Sequence, residues 1–164
     1  MSLLDKEPVK RVEKALKEFD QSISVIILEN TARTAKDAAE SLNCEVGAII
    51  KSLVFKAEET YVLSLIAGDK RCSLNKLKKI INKKDVSMAN PEEVKTQTGY
   101  TIGGVSPIGH LNPIKIFIDK SLERFNDLYA AAGHPNCVFK IDFKNIQKIT
   151  NGSIKEITEW DNQN

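Results

Sequence analysis

Two features of the chain could do chemistry. The first is Lys51, set in Ala48-Ile49-Ile50-Lys51-Ser52-Leu53-Val54-Phe55, where every immediate neighbour except Ser52 is apolar. Its ammonium belongs either at a strand edge, the ordinary place for a lysine amid aliphatics, or inside a site, where a fixed positive charge positions an anionic group. The second is the stretch 98–110, Thr-Gly-Tyr-Thr-Ile-Gly-Gly-Val-Ser-Pro-Ile-Gly-His, with four glycines, one proline and no charged side chain before its terminal histidine. A tight helix-to-strand connection would need fewer glycines. Each costs conformational entropy on folding, and together they let a backbone bend sharply and meet a ligand with no Cβ in the way. Such a loop binds with its main chain.

Weaker candidates follow. Asn30-Thr31-Ala32-Arg33-Thr34-Ala35 reads as a capped turn entering a helix, and equally as a helix N-terminus with an adjacent arginine, which is an anion receptor. Gly133-His134-Pro135-Asn136 reads as a turn. From Lys70 to Lys84 there are seven cations (Lys70, Arg71, Lys76, Lys78, Lys79, Lys83, Lys84) and no acid, either a solvated helix face or a contact for a phosphate backbone. Cys44, Cys72 and Cys137 lie far apart without a Cys-x-x-Cys pair, and His110 and His134 are the only imidazoles. Neither a disulfide framework nor a metal site is indicated, so no metal and no cofactor are expected. No Gly-x-Ser-x-Gly or catalytic-cysteine pattern occurs, which argues against a side-chain nucleophile.

Thr-Gly-Tyr, Gly-Gly, Ser-Pro and Gly-His within 98–110, together with the Lys51-Ser52 step before an apolar strand, resemble the YbaK family of aminoacyl-tRNA deacylases, the domain also inserted in many bacterial prolyl-tRNA synthetases. The resemblance covers most of residues 8–158. It implies that Lys51 holds the terminal nucleotide and aminoacyl group, with Ser52 as the small hydroxyl residue beside it. It implies further that backbone N–H groups near Gly103, Gly104 and Val105 face the ester carbonyl, with Ser106, Pro107, Gly109 and His110 completing a substrate-binding loop. Thr31 and Thr34 would border the amino-acid pocket, and Gly133 and His134 would close one side of it. Cysteine-specific members carry an acidic residue shortly after that turn, where this chain has Cys137 and Val138. In the family a substrate hydroxyl or side chain assists attack by water while the protein supplies geometry.

These residues need elements to position them. Val9, Val12, Leu16 and Phe19 recur at helical spacing after Pro8, predicting a helix over 8–19, and a β-branched run predicts a strand over 22–28. Thr34 caps a helix through Leu42 that ends at Asn43 or Gly47. Two strands, 49–56 and 61–67, join through a polar turn. Ser73 caps a helix with Leu74, Leu77, Ile80 and Ile81 inward and Lys76, Lys79 and Lys83 outward, and Asn90-Pro91-Glu92-Glu93 opens a short helix that stops by Gly99. A strand runs through Ile114, Ile116 and Ile118, another alternates through Phe139, Ile141 and Phe143, and a helix is available from Asp142 to Thr150.

This order argues for an α+β (mixed α/β) domain spanning 1–160 with a polar tail at 161–164. The resemblance implies a curved, barrel-like mixed sheet surrounded by helices. The length of 164 residues with 41% hydrophobic content suits one core, and no apolar run reaches the roughly 18 residues of a membrane span. The charged N-terminal helix lacks a signal-peptide core, so the chain is expected in the cytoplasm without a membrane partner. The expected activity is trans-editing: hydrolysis of the ester joining a small amino acid to a mischarged tRNA, tRNA(Pro) among the candidates. Lys70, Arg71, Lys76, Lys79 and Lys83 would meet the tRNA, and an aminoacyl-tRNA synthetase is an expected partner. The alternatives are a non-catalytic tRNA- or nucleotide-binding module, and a small-molecule hydrolase, which lacks the necessary acid/base pair.

Overall fold

The computed structural model describes residues 2–30 and 34–161. Helix α1 (Glu7–Phe19) carries Pro8 in its first turn and buries Val9, Val12 and Leu16 of the expected stripe, while Phe19 at its last position is exposed. Strand β1 (Val25–Ile27) is shorter than the predicted run. Helix α2 (Ala35–Leu42) is capped by the Thr34 hydroxyl, which accepts from Asp37 N at 3.1 Å, and ends with Asn43 in the left-handed region. Strands β2 (Ile50–Ala57) and β3 (Thr60–Ala67) form a hairpin, followed by β4 (Lys70–Cys72), α3 (Leu74–Ile81) and β5 (Val86–Met88).

Helix α4 (Pro91–Thr98) has the anticipated capping box between Asn90 and Glu93, and stops at Gly99 with φ 84°. The glycine loop then leads to β6 (Lys115–Asp119), β7 (Leu128–His134), β8 (Cys137–Ile141), α5 (Phe143–Thr150), β9 (Ser153–Lys155) and β10 (Thr158–Trp160). Phe143 does not continue β8: Asp142 caps α5, so the strand ends at Ile141, two residues earlier than the pattern predicts.

The expected mixed sheet is divided among three hydrogen-bonded sheets. The largest has the order β5-β2-β3-β6-β9, antiparallel on one side and parallel on the other; β1-β8-β7 and β10-β4 are the others. A parallel bridge between Ile49 and Tyr129 links the first two. Strand β3 is buried on both faces. Leu63, Leu65 and Ala67 join α1 and β7 in the main core, while Val62 and Ile66 pack with Phe55, Leu77 and Phe117 under α3.

The Ala-rich run before the 133–136 turn is itself a strand, β7. Ala130 and Ala132 are buried in the core that contains α1, and an added Cβ on Gly133 would lie 2.7 Å from the Pro8 carbonyl. Small residues there let α1 settle against the strand.

Candidate active site

A cavity of about 440 Å³ opens where β2, α2, the glycine loop and the β7-β8 hairpin meet. Lys51 and Ser52 of β2 line it, as do Thr34, Gly103 and Val105, so five of the expected residues converge. Its remaining wall is largely apolar, with Ala38, Ile49, Leu53, Tyr129, Ala131 and Val138. Alternation on β7 explains one part of that wall: Ala130 and Ala132 face the core, and Ala131 faces the cavity.

The Lys51 ammonium donates to the Lys70 carbonyl of β4. Burial pulls its pKa below the usual lysine range, and the carboxylates of Asp161 and Asp69 act in the opposite sense. Ser52 Oγ is buried and has no hydrogen-bond partner among the described residues, an unusual state for a hydroxyl and one that suits a ligand contact. The Thr34 hydroxyl oxygen caps α2, and the residue also borders the cavity; Arg33, the cation of the anion-receptor reading, lies outside the described residues. Thr31 lies outside the described residues.

The loop divides in two. Its first half presents Ile102, Gly103 and Val105 to the cavity, with Gly103 at φ 95°. Gly104 is committed elsewhere: its N–H donates to the Thr101 carbonyl at 2.9 Å, and a Cβ on it would lie 2.9 Å from His134 N and Cα. The expectation that Gly104 offers its N–H to an ester is corrected on that ground, leaving Gly103 and Val105 as the candidate donors; Gly104 allows close approach of the hairpin.

The second half is an anchor. His110 Nε2 pairs with the Ser106 carbonyl at 2.6 Å, Ser106 Oγ accepts from Ile108 N, and the Gly109 carbonyl accepts from Arg11 Nε at 2.6 Å. The Tyr100 hydroxyl donates to the Ile108 carbonyl at 2.8 Å, beneath the Arg11 guanidinium at 4.6 Å from its ring centre. Burial pushes the Tyr100 phenol up to about 12 and the His110 imidazole down, so both stay neutral. Pro107, Gly109 and His110 line a different depression beside α5, and Ser106 is fully buried. These four, expected to touch substrate, instead hold the loop in shape.

Gly133 packs on α1, and His134 Nδ1 accepts from Asn136 N at 3.0 Å, tying the β7-β8 turn. Neither lines the cavity; their neighbour Pro135 does. The basic segment is also redistributed. Lys70 lies over the Trp160 ring, Arg71 pairs with Glu159 at 3.0 Å, Lys76 donates to the Thr158 carbonyl at 2.7 Å, and Lys83 stands 4.0 Å from Glu58. Lys79 is exposed on α3. The segment is thus a strand followed by a helix, partly knitted to β10, and not one free cationic face.

Asp161, expected in a polar tail, lines the cavity and its backbone N–H donates to the Asp69 carbonyl. Tyr129 and Pro135 also line the cavity, though their residue types and spacing single out neither as a site residue. Burial raises the thiol pKa of all three cysteines, Cys72 to about 11, so they remain protonated and poorly nucleophilic. Among the described residues no three His, Cys, Asp or Glu side chains gather as a metal site, and no helix is long and apolar enough to cross a membrane.

A lysine, two glycine-loop positions and a hydroxyl with no partner among the described residues thus surround one largely apolar cavity. The aminoacyl-tRNA editing domain model matches residues 29–149, and the chain belongs to that family. Among relatives, it is 32% identical over 126 residues to EbsC of Enterococcus faecalis, a candidate Cys-tRNA(Pro)/Cys-tRNA(Cys) deacylase, covering 76% of this chain and 77% of that protein. It is 32% identical over 104 residues to the proline–tRNA ligase of Thermosipho melanesiensis, covering 63% of this chain and 18% of the ligase. A crystal structure of a candidate trans-editing enzyme for prolyl-tRNA synthetase superimposes with a TM-score of 0.89 at 34% identity, covering 94% of this chain and 98% of that one. The activity is that of an aminoacyl-tRNA deacylase, and the reading as a binding-only module yields to it.

Proposed function

We propose that the chain removes a small amino acid from mischarged tRNA, tRNA(Pro) first among the candidates, as a companion of the synthetase that makes the error in the cytoplasm. The observation that carries this reading is the convergence of Lys51, Ser52, Gly103 and Val105 on one cavity with a small-residue wall. Ala38, Ala131 and Val138 leave room for a short side chain and offer no charge to a polar one. Val138 and buried Cys137 stand where cysteine-specific members carry an acid, so alanine suits this wall better than cysteine.

In the proposed reaction the Lys51 ammonium holds the terminal nucleotide at the ester. Water attacks the carbonyl carbon, and Gly103 and Val105 N–H groups receive the charge that develops on its oxygen. The bond to the ribose oxygen breaks, that oxygen takes the proton released by water, and free amino acid and tRNA leave. The substrate's own ribose hydroxyl orients the water. Neither a metal nor a protein nucleophile takes part. The anchored second half of the loop fixes the donors before substrate arrives.

The test is a panel of tRNAs charged with alanine, serine, cysteine and their cognate amino acids. Release of the small amino acids with the cognate prolyl ester spared is expected. Tight binding of every tRNA with no ester cleaved would restore the binding-module alternative.

A further inference from the structure

Trp160 is 57% exposed at the end of β10, directly opposite Lys70 of β4 in an antiparallel pair. The Lys70 ammonium lies 4.0 Å from its ring centre and the Arg124 guanidinium 5.3 Å. Arg124 is held in a two-pronged pair with Asp69, at 2.8 and 3.0 Å. Beside this cluster is a second depression lined by four cations, Lys70, Lys76, Lys120 and Arg124, and by Asp119, Glu123 and Glu156. The Asp119 carboxylate is already consumed, accepting from Ile157 N at 2.8 Å, from the Thr158 hydroxyl at 2.9 Å and from Ser121. It fixes β10, and with it the indole, in place.

A large aromatic left in water between two cations is an uncommon surface feature, and its chemistry matches single-stranded nucleic acid: a flat face for a base and positive charge for the phosphate joined to it. Its position is equally informative. The carbonyl of Lys70 accepts from the Lys51 ammonium, and Asp161, next in the chain after Trp160, lines the ester cavity. The platform therefore adjoins the place where the chain of nucleotides must leave the terminal adenosine.

We propose that Trp160, Lys70 and Arg124 form a stacking platform for a base of the single-stranded 3′ end of tRNA, immediately before the aminoacylated nucleotide. This rests on the deacylase reading for the direction of the strand. A base arriving at the indole displaces a cation from its ring, and that cation then pairs with the phosphate of the same nucleotide.

Trp160 is the only tryptophan of the chain, so its fluorescence reports on the platform alone. Titration with a short, uncharged single-stranded RNA ending in cytidine-cytidine-adenosine should quench it, with a salt-dependent midpoint. Trp160→Ala should weaken binding of that RNA about 5- to 100-fold, as measured with a dye-labelled strand, and Trp160→Phe should recover most of the loss. With mischarged tRNA, Trp160→Ala should raise KM and leave kcat nearly unchanged. Unquenched fluorescence at saturating RNA, equal quenching by an unrelated polyanion such as heparin, or unaltered RNA affinity in Trp160→Ala would each overturn the platform. Because the RNA carries no ester, these outcomes are independent of deacylation. Stacking without hydrolysis of any mischarged tRNA would refute the enzyme reading alone.

Discussion

Exchanging Lys51 for methionine removes the ammonium and keeps an unbranched stem of similar reach in β2. Two effects on stability oppose each other. The charge-assisted hydrogen bond to the Lys70 carbonyl is lost, worth about 2 kcal/mol. Against it, burial is the largest influence on Lys51 and lowers its pKa from 10.5, so the charged form is a cost to the folded chain that methionine relieves. The two oppose each other, and the variant should keep its stability to within about 2 kcal/mol.

The pH dependence has a definite sign. Because the folded chain binds this proton less tightly than the unfolded one, the penalty is full below the lowered pKa. It shrinks as pH rises toward 10.5 and vanishes above it. Lys51→Met should lack that gain in stability with rising pH. Catalysis should respond far more strongly, because Lys51 is proposed to hold the terminal nucleotide at the ester, and misplacing a substrate by about 1 Å costs about 10²-fold in rate. Single-turnover deacylation, corrected for spontaneous ester hydrolysis, should fall by that amount in Lys51→Met. In the parent it should decline as pH rises through the lowered lysine pKa. Denaturant titration supplies the stability arm. A variant that keeps its rate to within about tenfold, or that loses several kcal/mol of stability, would show that Lys51 serves the fold and not the ester.

Other substitutions test other walls of the site. Gly104→Val must push against the His134 backbone, where even a Cβ lies at 2.9 Å, so it should cost about 1–3 kcal/mol in chemical denaturation and impair deacylation; unchanged stability would refute the close approach. Ala131→Leu fills the cavity from β7 and should reduce kcat/KM for the bulkier mischarged amino acids about 10-fold or more relative to the smallest, measured on the same tRNA panel. Chelator treatment and replacement of Cys44, Cys72 and Cys137 by alanine should leave turnover intact, since thiols held protonated take no part; loss of activity restored by added zinc would overturn the metal-free reaction.

Much of this molecule was legible in local chemistry. Thr34, Ser73, Asn90 and Asp142 each cap a helix within four residues of themselves, and the apolar stripe of α1 states which face is buried. The β2-β3 hairpin follows from two apolar runs flanking a polar turn. Lys51 and the glycine loop stand out for the same reason: a charge among aliphatics and a cluster of glycines are each anomalous against their immediate neighbours.

What tertiary structure alone decided depends on partners distant in the chain. Strand β7 escaped notice because alanine has little strand preference, and Ala130 and Ala132 are explained only by the helix that lies on them. Strands β4 and β10 have three residues each, too few for a period, and exist because Lys70–Cys72 finds Thr158–Trp160. That pairing brings Asp161 to the cavity and the indole to Lys70, and it draws Arg71 and Lys76 out of the cationic run. Within 98–110, composition announces a loop made to approach something; it cannot tell the residues that line the cavity from the N–H bonded to Thr101 or the carbonyls tied to Arg11 and His110. Residue type sets what a group is able to do, and the long-range hydrogen bonds of the folded chain determine which groups are already occupied.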